Sequence, residues 1–191
     1  MNLDSIFPSN FLEQDCVHAI IRDHWLVLDY TVNIDNSIDV QGSVKFPEFA
    51  SFLTELPLKF NKVSGDFDCS ALINLTTLKG APVEVGGIFN CAYTNIKSLR
   101  YAPKRAAKLV FDNTIGSLSV GWDCDFKQVH MLFRYSNPDN GLPSVILQHI
   151  ESMPTILKYQ NYYEVWNDNF PHSFNQEGFN NLIAEINEGL E

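Results

Sequence analysis

Four phenylalanines, Phe67, Phe89, Phe111 and Phe133, follow one another at intervals of 22 residues. Their surroundings recur with them. Gly65-Asp66-Phe67-Asp68-Cys69-Ser70 is echoed by Gly87-Ile88-Phe89-Asn90-Cys91-Ala92, then by Leu109-Val110-Phe111-Asp112-Asn113-Thr114 and Met131-Leu132-Phe133-Arg134-Tyr135-Ser136. A degraded earlier copy, Gly42-Ser43-Val44-Lys45-Phe46, precedes Gly65 by 23 residues. Between the phenylalanines lie Leu53 and Leu56, then Leu75 and Leu78 before Ala81-Pro82, then Ile96 and Leu99 before Ala102-Pro103, then Ile115 and Leu118. Each unit therefore reads as a short strand, a turn, a Leu-x-x-Leu segment and a proline-marked corner. Proline lacks an amide donor and has a fixed φ, which suits a corner and excludes a long helix. A unit this short cannot bury its own apolar face, so neighbours must stack. The expected fold is α+β: a solenoid with a short parallel sheet, in which the four phenylalanines form a core ladder.

A bare solenoid end exposes its core and an unpaired strand edge, so both ends are expected to be capped. Residues 1–46 read as the first cap. Asn10 is placed to cap a helix over Phe11–Ile21, and Trp25–Asn33 and Ser37–Phe46 alternate like strands of a hairpin about Asp35-Asn36. Residues 47–136 read as the repeat solenoid, and the turn-rich Ser136–Gly141 opens a helical cap over 137–191. Helices are predicted over Pro143–Met153, Pro154–Asn167 and Gln176–Gly189, the last with Asn175 as N-cap and Phe179, Leu182, Ile183 and Ile186 as its apolar stripe.

The 191 residues include 13 Lys+Arg and 23 Asp+Glu, a net charge of −10, which argues against a duplex-coating or membrane-surface role for the whole chain. There is neither a secretory leader pattern nor an apolar run of membrane-spanning length, so a cytoplasmic, soluble chain is expected. Cys16, Cys69, Cys91 and Cys124 are then reduced thiols, no Cys-x-x-Cys is present, and the histidines do not cluster. No metal or cofactor is expected. Gly86-Gly87 lacks the Lys-Ser/Thr and following helix of a phosphate loop and reads as a tight turn.

The charge is segmented: residues 1–48 hold eight acids and two bases, residues 151–191 seven and one, and the middle eight and ten. Strand alternation turns Asp66, Asp68, Ile88, Asn90, Val110, Asp112, Leu132 and Arg134 outward as one mixed acidic and apolar face. Paired carboxylates such as Asp66 and Asp68 serve acid–base or metal chemistry when a third group completes the site. None does here, and apolar side chains beside acids are what a protein-binding face looks like. Lys97, Arg100, Lys104, Arg105 and Lys108 fall within twelve residues free of acids, can project from one edge of the solenoid and form the second candidate contact. Tyr101 is the lone aromatic among them, so single-strand readout is not indicated.

The units in "KVSGDFDCSALINLTTLKGAPVEVGGIFNCAYTNIKSL" resemble the short leucine-rich-like repeats of T-even-like bacteriophage proteins, and "VNIDNSIDVQGSVKF" and "ILKYQNYYEVWNDN" resemble the flanks of those repeats. The resemblance spans roughly residues 25–190 and implies a leucine-rich-repeat-like solenoid. Some such proteins are Alc-like inhibitors of host transcription. The resemblance thus implies a non-enzymatic host-takeover protein of the host cytoplasm whose partner is a host complex, RNA polymerase first, with DNA touched only indirectly. A phage assembly scaffold is the alternative, and an enzyme with a dispersed site is a third. Asn113 and Tyr135 stand where the repeats have Cys69 and Cys91.

Overall fold

The computed structural model describes residues 16–22, 29–134, 141–167 and 173–191. Residues 16–22 form a short helix, α1, whose Val17 and Ile21 are buried in the core. Asn10, Trp25 and most of the Ser136–Gly141 turn lie outside the described residues. Strands β1 (Asp29–Val32) and β2 (Ile38–Gln41) form the antiparallel hairpin. Its turn is set by Asp35, which accepts the Ser37 N–H and hydroxyl.

The predicted second hairpin strand, Ser37–Phe46, is two strands. Gly42, at φ 99°, turns the chain between β2 and β3 (Val44–Lys45). Both then pair in parallel with the next coil: β2 with β4 (Phe60–Val63) and β3 with β5 (Phe67–Asp68). Two parallel rows result. The first runs through β2, β4, β6 (Glu84–Val85) and the start of β8 (Arg105–Asp112). The second runs through β3, β5, β7 (Ile88–Asn90) and the rest of β8. β9 (Asp125–Leu132) pairs along the length of β8 and closes a parallel-rich β-solenoid of five coils. The sequence predicts one strand per unit. The extra row is missed because its strands are short and display charge outward, as Lys62, Glu84 and Arg105.

The third side of each coil is extended chain without strand ladders, tied to the next by single bonds such as Thr76 N–H to Thr54 O and Asn95 N–H to Leu75 O, both 2.9 Å. Its Leu72, Leu75, Leu78, Ile96, Leu99, Ile115 and Leu118 point inward and are buried. Pro82 and Pro103 sit buried at the corners where the sequence places them.

The ladder differs from the expectation of even spacing. Phe67 pairs with Phe89 in register, their rings 5.5 Å apart and nearly parallel. Phe89, however, pairs with Leu109, and Leu109 with Val129. Phe111 is buried one inward position further along, in register with Met131, and Phe133 is 64% exposed. The cause is coil length. Along the first row Lys62 pairs with Glu84, Glu84 with Arg105 and Arg105 with Asp125, so each coil is one position shorter than the coil before it. The early coils spend residues on a glycine corner between the two rows, whereas β8 and β9 run straight through it. At Gly86 a Cβ would lie 2.1 Å from Ser64 O, so that corner tolerates only glycine without a shift.

After the solenoid come α2 (Ser144–Leu147), a 3-10 turn (Ile150–Ser152), α3 (Met153–Tyr159), the small hairpin β10 (Trp166–Asn167) with β11 (Ser173–Phe174), and α4 (Gln176–Asn187). The first two predicted helices are shorter than expected. Pro154 opens α3 in its first turn, the chain leaves the helix through turn residues 161–164, with Glu164 at φ 49°, and Trp166 is in a strand. The third stands as read: Asn175 Oδ1 accepts the Glu177 and Gly178 N–H groups and starts α4. α3 packs on β9, and the Cys124 thiol donates to Leu157 O at 3.2 Å.

Candidate functional site

The second strand row carries the outward face expected from the sequence, with a changed membership. Lys45, Asp68, Asn90, Val110 and His130 form one column in register, and Ile88, Lys108 and Gln128 form its neighbour. Asp66 precedes Phe67 on the same side and is exposed. Asp66, Asp68, Ile88, Asn90 and Val110 are thus brought together. Lys108, expected at a basic edge, joins them, and Gln128 and His130 are additions. The shorter spacing of the last coils hid both.

The Asp66, Asp68 and Asn90 side chains of this face accept hydrogen bonds from backbone N–H groups. Asp66 Oδ1 accepts the Ile88 N–H at 2.7 Å from the next coil. Asp68 Oδ1 accepts the N–H and hydroxyl of Ser70, and Asn90 Oδ1 accepts the Ala92 N–H. Asp112 repeats the same turn with Thr114 N–H and hydroxyl. The regular recurrence of Asp68, Asn90 and Asp112 therefore marks a side-chain-capped turn at each strand end. Asp112 is not on the open surface as expected. It is only 3% exposed, and its Oδ2 also accepts the Tyr93 N–H at 2.7 Å and meets Arg134 Nη1 at 3.3 Å. Arg134 in turn stands over the Tyr93 ring, 5.5 Å from its centroid. Leu132 is half-buried beside Asp112 in register. Asp66 and Asp112 in this way lock coil to coil, whereas Asp68 closes a turn within its own coil.

The basic run does not form the single edge expected of it. The segment 97–108 is longer than half a coil and therefore wraps around the perimeter. Lys97 and Arg100 lie on the third side. Lys104 reaches over the Trp122 ring at 5.8 Å. Arg105 enters the first row, where its guanidinium lies 3.7 Å from Glu84, itself 3.3 Å from Lys62. Lys108 enters the second row.

What the sequence did not single out is an apolar strip on the corner that follows the second row. The 3-10 turn Glu48–Phe52 is anchored by buried Ala50, which leaves Phe49 and Phe52 projecting, the latter 65% exposed. Asn74 Nδ2 donates to Ser51 O, which places Ile73, 55% exposed, one coil above Phe52. Tyr93, 51% exposed and at φ 63°, continues the strip on the following coil. A groove of about 770 Å³ runs between Phe46, Pro47, Ser51, Asp68, Ala71 and Ile73. The legible signal was Phe49 and Phe52, two large apolar residues with no counterpart in the inward repeat positions.

Cys69, Cys91 and Cys124 are buried and unbridged, and Cys16 is exposed. Cys69 and Cys91 are neighbours in one inward column, and their thiols donate to Asn90 O and Val110 O. Burial pushes both thiols well above their ordinary range, with Asp112 adding to the effect at Cys91. Cys124 is pushed up to about 12 by burial, with Asp123 and Asp125 adding. Such thiols are poor nucleophiles and poor metal ligands. Among the described residues no group of three His, Cys, Asp or Glu side chains is arranged to hold a metal ion, and no helix is long and apolar enough to cross a membrane.

No family model, no curated protein and no solved structure matches this chain.

Proposed function

We propose that the chain is a non-enzymatic protein-binding module whose contact surface is the Phe52–Ile73–Tyr93 strip together with the adjoining Asp66, Asp68, Ile88, Asn90 and Val110. The observation that carries this reading is the strip itself: large apolar side chains held open on three successive coils, beside polar groups already committed to the backbone. Aromatic anchors on a rigid support lose little conformational freedom on binding, which is the usual composition of an interface centre.

The finer reading takes the coils as leucine-rich-like units, with the β1–β2 hairpin and α3–α4 as their end caps. Support for it comes from the inward Leu72, Leu75, Leu78, Ile96 and Leu99, from β1 lying along β2, and from α3 packed across β9. With the sequence resemblance to T-even-like phage repeats, the proposed role is host takeover in the host cytoplasm. There the module binds and inhibits a host complex, RNA polymerase first, and meets DNA only through that partner. Affinity capture from a bacterial lysate tests it, using the parent chain and the Phe52→Asp/Ile73→Asp variant. Polymerase subunits recovered by the parent and lost by the variant support the reading. Equal recovery by both removes the strip from the contact. Recovery of the chain itself or phage proteins alone replaces host inhibition by an assembly role.

A further inference from the structure

A different corner of the solenoid, where the third side turns into the first strand row, bears a second surface independent of the strip above. Successive coils set Leu58, Gly80, Tyr101 and Trp122 side by side there. A Cβ on Gly80 would meet Leu58 O at 2.6 Å, and the Tyr101 and Trp122 rings lie edge to face with centroids 6.4 Å apart. Gly80, at φ 92° and without a side chain, leaves a trough between Leu58 and Tyr101 of about 540 Å³. Its walls are largely apolar, with Pro57 and Ala81 beside those four, and Glu55 stands on the first coil that lines it. Lys79 also lines it, while Arg100 stands over the Tyr101 ring at 5.6 Å and Lys104 over the Trp122 ring. None of these three cations has a carboxylate within 4 Å among the described residues, whereas Lys59 is paired with Asp35, Lys62 and Arg105 with Glu84, and Arg134 with Asp112.

We propose that this trough binds a short extended peptide segment of a partner protein that combines aromatic or branched aliphatic side chains with Asp or Glu. Charge sets the choice. The apolar floor takes the hydrophobic side chains, and Lys79, Arg100 and Lys104 take the carboxylates near the aromatic pair, so the segment's acidic end lies away from Glu55. Four coils about 4.8 Å apart span roughly 14 Å, the length of four or five extended residues. A single-stranded nucleic acid is the less suitable occupant. Stacking of bases needs an open ring face, and Arg100 and Lys104 already stand over the two rings.

The test is fluorescence anisotropy on the full chain with three labelled probes: a peptide of Phe, Leu and Glu residues, its counterpart with Lys for Glu, and a mixed-sequence single-stranded oligonucleotide. The acidic peptide is expected to bind, to weaken as salt is raised, and to lose at least tenfold in affinity in Lys79→Glu/Lys104→Glu, whose exposed positions leave the circular dichroism spectrum unchanged. Phe52→Asp/Ile73→Asp should bind it as the parent does, which separates this surface from the strip. The proposal is overturned if the basic peptide or the oligonucleotide binds as well, if charge reversal leaves the affinity intact, or if no probe binds.

Discussion

Replacing Phe89 and Phe133 by alanine, one at a time, distinguishes a core set by coil register from one set by sequence spacing. The two residues occupy equivalent places in the sequence repeat, so a spacing-based ladder assigns them similar costs. In the structure Phe89 is fully buried, its ring stacked on Phe67 and its backbone in register with Leu109. Burying a phenyl ring is worth about 1.5–3 kcal/mol. Truncation also leaves a cavity, and the parallel ladder on both sides fixes the spacing between coils, so the walls collapse little. The expected loss is about 3–5 kcal/mol, against a total of about 5–15 kcal/mol for a domain. At this chain length that lowers Tm by roughly 6–20 °C. Phe133 is mostly exposed, and its removal should stay within about 0.5 kcal/mol. Urea and thermal denaturation of the two purified variants measure both numbers. Equal losses would restore the evenly spaced ladder and refute the shortened coils. An unaffected Phe89→Ala would show that the second row does not face a core.

Asp112→Ala should cost about 2–4 kcal/mol by urea midpoint, because it strands the Tyr93 and Thr114 N–H groups, while the exposed Arg134 guanidinium stays hydrated. Asp112→Asn should recover part of this, and equal losses would mean the carboxylate is not the coil lock. Gly86→Ala should destabilise by about 1–3 kcal/mol through its clash with Ser64 O, whereas Gly116→Ala, with 3.7 Å to its nearest neighbour, should be close to neutral. Matching losses at the two glycines would discount the close approach. A thiol reagent at pH 8 should label Cys16 alone in the native chain, and the other three on unfolding. The raised native thiol pKa values mean that the unfolded chain releases these protons first as pH rises. The thiol contribution to stability should therefore be constant below about pH 8.5 and fall progressively toward about pH 12. A rise in stability over that range would contradict the buried, protonated thiols.

The recurrence of Phe67 and Phe89 with Leu75, Leu78, Ile96 and Leu99 made the stacked coils and their inward side legible, because identical surroundings demand similar residues while coils keep one length. Legibility failed where length changed. Phe111 and Phe133 keep the sequence period although β8 and β9 have lost the glycine corner, and nothing local to Phe133 signals that its coil is shorter. The Asp68, Asn90 and Asp112 series looked like an outward acidic row. It is a series of turn caps, a distinction invisible until the Ser70, Ala92 and Thr114 amides are seen to donate to them. Asn175 was readable because capping involves residues within one helical turn.

The same reasoning explains why neither the apolar strip nor the trough was found by looking for dense motifs. Around a solenoid coil, side chains close in sequence are dispersed over the perimeter, and side chains close in space recur one coil later. Lys97, Arg100, Lys104, Arg105 and Lys108 are a cluster on paper, but they distribute over the third side, one corner and both strand rows. Phe52, Ile73 and Tyr93 carry no motif, yet each lies one coil beyond the last, which aligns them on one corner. Leu58, Gly80, Tyr101 and Trp122 follow the same rule, one to a coil. Charge along the first row obeys it too: Lys62, Glu84 and Arg105 alternate in sign at coil spacing and neutralise one another on an exposed surface. Exposed pairs of this kind add little to stability, about 0–1 kcal/mol each. Shifting this row by one coil would break each match and set Arg105 against Lys62, so the alternation favours a single register over its neighbours. The Gly80–Tyr101–Trp122 corner has no such pairing for Lys79, Arg100 or Lys104 among the described residues, which leaves aromatic groups and cations there available to a partner.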